Sequence, residues 1–166
     1  SLMNYIELES YSRKWIFNHK SLPVSSDDLA NIKPFSKARA GQLWSQLISS
    51  QCNFTDQFSK GDWPHNQNTW STEADWQQAW DDDDSNELPE EVLAHLTWDD
   101  NSKVYFCYER FNMIETNWGT FKRNWKNFLF YDDGAILISA KRKEALSFQQ
   151  DGTVLIGTRL PVDQAK

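Results

Sequence analysis

The run Lys103–Phe111, KVYFCYERF, constrains the fold of this chain more than any other segment. Its residue types favour strands, and it is apolar almost without interruption, whereas a strand with one wet face alternates. It reads as a central strand, with Asn112–Thr116 (NMIET) as its partner. Asp133-Gly134 and Asp151-Gly152 are turn dipeptides. They frame AILIS, EALSFQ and TVLIGT as short strands of an antiparallel meander, with Lys141-Arg142-Lys143 at a hairpin end.

The first half carries a helical pattern instead. Ser25 or Ser26 caps a short helix through DDLANI, with acids at its positive end and Pro34 stopping it. Ala40, Leu43, Trp44, Leu47 and Ile48 fall at i, i+3, i+4, i+7 and i+8, the spacing of one buried helix face. Ser71 or Thr72 is expected to cap EADWQQAW, which puts Trp76 and Trp80 one turn apart. Pro89, followed by Glu90 and Glu91, opens another short helix through VLAHL. At 166 residues the chain has room for one sizeable core. The pattern predicts a single α+β domain over residues 3–160, with short helices of the N-terminal half packed on an antiparallel sheet formed mainly by the C-terminal half. Ser1-Leu2 ahead of Met3 reads as an expression scar, and 161–166 as a tail.

Within the strand-rich half lies the stretch ETNWGTFKRNWKNFLFYDDG. Trp118, Phe121, Trp125 and Phe128 form one stripe on a helical wheel, with Lys122, Arg123 and Lys126 beside it. Single-strand nucleic-acid binders interleave rings and cations on one exposed surface. A stripe at helical spacing is instead the mark of a core helix, whose bases run along its edge toward acidic residues across the domain.

Charge is segregated along the chain. From Asp62 to Asn101 there are twelve acids and no Lys or Arg, while all 17 bases and the other twelve acids lie elsewhere. The run Asp81, Asp82, Asp83, Asp84 is its densest part, followed by Glu87, Glu90 and Glu91. With a net charge of −7 the protein as a whole is not built for nucleic acid. An acidic block of this kind fits a basic protein partner.

Residues 60–84 hold Trp63, Trp70, Trp76 and Trp80 among Asp, Asn, Gln and His, with almost no aliphatic side chains. Trp76 and Trp80 read as core residues and Trp63 as a ring pinning a loop beside Pro64. Planar rings beside amides and carboxylates also suit a sugar, so Trp63 and Trp70 are binding candidates for a carbohydrate or small ligand. Interfaces are equally rich in such rings.

Motifs for chemistry are sparse. His19, His65 and His95 stand apart, without a second ligand at zinc spacing, and DDDDSNELPEEV lacks the Gly and Glu of a calcium hand. No Walker loop, dinucleotide turn or nucleophile elbow occurs, so neither a metal nor a cofactor is expected. Asp132, Asp133 and His65 are the catalytic candidates, although two acids before a Gly are more simply a turn. Cys107 suits a small buried thiol, Cys52 is the other cysteine, and no stretch is long and apolar enough to cross a bilayer. A reduced cytoplasmic protein is expected.

The segments RKWIFNHKSLPVS, FSKGDWP, VYFCYERFNMIETNWGTFKRNWKNFLFYDDG and AKRKEA resemble a bacterial family catalogued as domain of unknown function 2947, over about Met3 to Arg159. The resemblance implies a bacterial, cytoplasmic source and a single domain. It brings no activity, ligand or catalytic residue. Three readings follow, in order of preference: a small acidic interaction module of regulatory or immunity-like type, a carbohydrate or small-ligand binder, and an enzyme.

Overall fold

The computed structural model describes residues 4–131 and 134–159. Its strands are β1 (Lys33–Pro34), β2 (Trp70–Asp75), β3 (Lys103–Glu109), β4 (Asn112–Asn117), β5 (Ile136–Ser139), β6 (Glu144–Phe148) and β7 (Thr153–Thr158). They form one seven-stranded sheet in the order β1-β4-β3-β5-β6-β7-β2, antiparallel at every pairing. The apolar run is indeed interior: Phe106 pairs with Ile114 on one side and Leu137 on the other.

The helices are α1 (Ser26–Ala30), α2 (Lys37–Leu47), α3 (Trp76–Asp81), α4 (Glu90–His95) and α5 (Trp118–Phe128). Both faces of the sheet are covered, which is why β3 does not alternate. Val104, Phe106 and Tyr108 pack with α5, Trp76 of α3 and Val92 of α4, and with Ile16 and Phe17 from the N-terminal 3-10 turns. Tyr105 and Cys107 face the other way, onto Ala40, Leu43 and Trp44 of α2 and onto Trp63. Phe106 meets Phe121 and Phe128 at centroid distances of 5.5 and 5.3 Å. Losing one such buried ring typically costs about 3–5 kcal/mol.

Local chemistry sets the ends of these elements. Ser25 caps α1 by accepting from the Asp28 N–H, and Ser36 caps α2 by accepting from that of Arg39. One boundary departs from expectation. Ser71 and Thr72 do not cap a helix but lie in β2, paired with β7, and Asp75 caps α3 through the Gln78 N–H at 2.9 Å. The edge strand carries no alternation to betray it, since Ser71, Thr72 and Glu73 are all exposed.

Helix α5 is buried around most of its circumference and kinked at Asn124 (φ −126°, ψ 17°). The Asn124 amide donates to Thr120 O at 2.9 Å, near the break, and to Asp28 at 2.8 Å. Its bases all have partners. Arg123 clasps Asp28 through two bonds of 2.8 and 3.1 Å, and Lys122 pairs with Asp100 at 2.9 Å. The buried Lys126 points to the acidic segment. The stretch is a core helix that fastens acidic elements to the sheet. Among the described residues no helix is long and apolar enough to cross a membrane, and both Cys52 and Cys107 are buried free thiols.

Candidate functional site

The acidic segment is displayed by the helix beneath it. Lys126 Nζ donates to the carbonyl oxygens of Asp82 and Ser85 at 2.9 and 2.8 Å, and Trp125 Nε1 donates to Asn86 O at 2.7 Å. Two local turns tighten the loop, through Asp84 N to Asp82 Oδ1 at 3.0 Å and Glu87 N to Ser85 Oγ at 3.1 Å. The contacts from α5 hold backbone oxygens, so carboxylates are left outward. Asp81–Asp84, Glu87, Glu90 and Glu91 are exposed, and among the described residues no ion pair reaches any of them. Asp75, Asp81, Asp82 and Glu91 line an open depression of about 830 Å³ with Gln77 and Gln78. Sequence reasoning found the run of four aspartates. It missed Asp75, whose capping position in front of Trp76 was the available signal, and did not join Glu91 to the run in one depression.

The acids that do find bases sit elsewhere in the domain. The Arg123 guanidinium holds the Asp28 carboxyl below the usual carboxylate range, with the Asn124 amide assisting, and Lys122 does the same for Asp100. Asp62 is buried within its own loop, accepting from Ser49 Oγ at 2.6 Å and Ser59 N at 3.1 Å.

A second concave site gathers the Trp-rich loop. Trp63 is only 7% exposed and donates its indole N–H to Leu47 O at 2.7 Å. Trp70 packs against it at 5.9 Å and donates to Pro64 O at 3.0 Å. The half-buried Trp70 ring and the exposed His65 line a cleft of about 310 Å³ with Phe58, Pro64, Gln67 and Gln149. That is at the lower end of the size range of small-molecule sites. Trp63 therefore supports the cleft from behind, while Trp70 presents a ring to it. Gln149 joins from a distant part of the chain and carried no local signal. Trp76 and Trp80 are tied inward, by bonds of 2.9 Å to Gln149 O and Lys126 O.

The remaining candidates do not converge. Asp132 and Asp133 lie outside the described residues. His95 reaches Gly157 O at 2.8 Å, and His19 packs on Phe130 and lines neither of these two sites. Among the described residues no group of three or more His, Cys, Asp or Glu side chains is arranged to hold a metal ion. Residues 5–157 match the family described as protein of unknown function, DUF2947, and the chain belongs to that family. No curated protein and no solved structure matches the chain.

Proposed function

We propose that this member of the DUF2947 family is an interaction module whose acidic face docks a basic protein partner in the cytoplasm. The observation that carries the reading is the manner in which Lys126 and Trp125 hold residues 82–86 by their carbonyls while Asp81–Asp84 remain exposed and, among the described residues, without a base. A loop fixed in place loses little entropy on association, and its uncompensated field speeds encounter with a basic surface. Small acidic proteins that neutralise basic toxins follow the same logic, and the immunity-like version rests on that analogy.

The test is capture from native lysate by tagged wild-type protein and by the variant with Asp81, Asp82, Asp83 and Asp84 all changed to Asn. A stoichiometric basic protein that is lost with the variant and released at high salt supports the proposal. Capture that survives both changes sinks it.

A second reading has its own observation, the convergence of Trp70, His65, Gln67 and Gln149 in one ring-lined cleft. A neutral sugar stacks on such a ring and bonds such amides. Trp70→Ala abolishes that binding and leaves partner capture intact, whereas the aspartate variant does the reverse.

A further inference from the structure

A group of cations lies outside both sites. The 3-10 turn Lys14–Phe17 and the residues after it form a groove of about 450 Å³ lined by Lys14, Trp15, Asn18, His19 and Lys20. Among the described residues no carboxylate lines it. Trp15 is 43% exposed, yet its ring is held: its indole N–H donates to Tyr131 Oη at 3.1 Å, and it meets Phe130 and Tyr131 edge-on at 5.3 and 5.4 Å. Behind it the Arg13 guanidinium lies 4.0 Å from the Tyr131 ring centre and 4.5 Å from that of Tyr108.

The polar groups of the groove are mostly donors. Lys14 is engaged by Glu9 at 3.6 Å, a solvent-exposed pair that contributes little, and Lys20 has no ion pair among the described residues. His19 Nδ1 is occupied by Ser21, whose backbone N–H lies at 3.3 Å and whose hydroxyl lies at 2.7 Å. The His19 ring leans on Phe130 at 5.0 Å, so it too is held by an aromatic neighbour.

A fixed open ring flanked by two ammonium groups and an imidazole selects a ligand with a flat face and an anionic oxygen cluster. We infer that the Lys14–Lys20 groove binds a small planar anion of the mononucleotide kind, with the ring on Trp15 and the phosphate among Lys14, Lys20 and His19. The groove volume suits one small molecule. The chain's charge of −7 opposes a long polyanion more than a ligand with one phosphate, so a polymer is the disfavoured occupant.

The test follows the indole N–H signals by two-dimensional NMR at low salt, with the Trp15 signal assigned through Trp15→Phe. The probes are adenosine monophosphate, adenosine alone, inorganic phosphate alone and a single-stranded oligothymidine. Adenosine monophosphate is expected to shift Trp15 saturably. Changing Lys14 and Lys20 together to Gln weakens it roughly fivefold or more without altering the response to adenosine. Those two changes are at exposed positions, so the result does not depend on Trp15 substitutions folding. Absence of a Trp15 shift overturns the inference, as does equal affinity for adenosine and its monophosphate. Tighter binding of the oligothymidine at the same residues overturns it in favour of single-stranded nucleic acid.

Discussion

Lys126 Nζ lies 2.9 Å from the carbonyl oxygen of Asp82, a buried ammonium that grips the backbone of the acidic segment and not its carboxylates. Lys126→Met keeps the aliphatic stem and removes the donor, so Asp82 O and Ser85 O both lose it. Stability is expected to fall by about 1–3 kcal/mol, read by urea unfolding. Hydrogen exchange localises the effect, with faster exchange over residues 82–87 than over the strands. Uniform acceleration over the whole chain would mean that the contact does not specifically hold the loop.

The aspartates themselves should matter little to stability. Changing Asp81–Asp84 to Asn keeps a side-chain oxygen at each position, including the Asp82 oxygen that accepts from Asp84 N. It removes four like charges on an exposed surface. Thermal unfolding is expected to move by no more than about 0.5 kcal/mol, or slightly upward as repulsion is relieved. A large loss would assign these residues to the fold and remove the reason to read them as a docking face.

How much of this was legible in the sequence follows from the range of the forces involved. Helix α2 announced itself because Ala40, Leu43 and Trp44 are buried at helical spacing, and β3 did so because each of its faces meets a core. The meander β5-β6-β7 followed from local turn chemistry. Strand β2 was read as the start of a helix because its pairing comes from β7, about 80 residues away, and leaves no period in its own residues. Arg110 was equally silent. Its guanidinium bonds Asn53 Oδ1, Ser45 Oγ, Ser49 O and Cys52 O, tying the β3–β4 hairpin to the end of α2, and a lone Arg in a turn gives no hint of that. Of the candidate sites, the acidic run was visible as composition, while the Trp70 cleft needed Gln149 to be brought in by the fold.

The pair Asp28–Arg123 gives stability a dependence on acid. Asp28 has a folded pKa below its unfolded value, chiefly through its hydrogen bonds to Arg123. Its contribution is therefore complete above the ordinary carboxylate pKa of about 4 and is lost as pH falls through the folded value. Asp28→Asn is expected to destabilise at neutral pH by about 1–3 kcal/mol, because Arg123 loses its ionised partner and the Asn124 amide a charged acceptor. The gap between variant and wild type should close as pH drops below about 4, measured by chemical denaturation at each pH. A gap of constant size would show that shape, and not charge, is what Asp28 supplies.

Gly157 is where the chain tolerates no side chain. A Cβ there would stand 2.0 Å from Thr69 O, 2.8 Å from Thr69 C and 2.9 Å from Trp70 Cα, all backbone atoms that no rotamer change can move aside. These contacts lie where the β2–β7 register shifts between Trp70 and Thr72, so the segment entering the edge strand crosses closely over Gly157. Gly157→Ala must push Thr69 and Trp70 off the sheet, and a loss of about 3 kcal/mol or more is expected. Gly61→Ala is the fitting comparison. Its φ of +101° strains a side chain, but the nearest neighbour of an added Cβ is the Gln51 amide at 3.6 Å, and a cost nearer about 1 kcal/mol is expected. Because Trp70 moves with Thr69, Gly157→Ala should also shift the Trp70 indole N–H signal and weaken any ligand held in its cleft, while capture through Asp81–Asp84 persists. Equal stability of the two alanine variants would contradict the close crossing, and with it the rigid placement of Trp70.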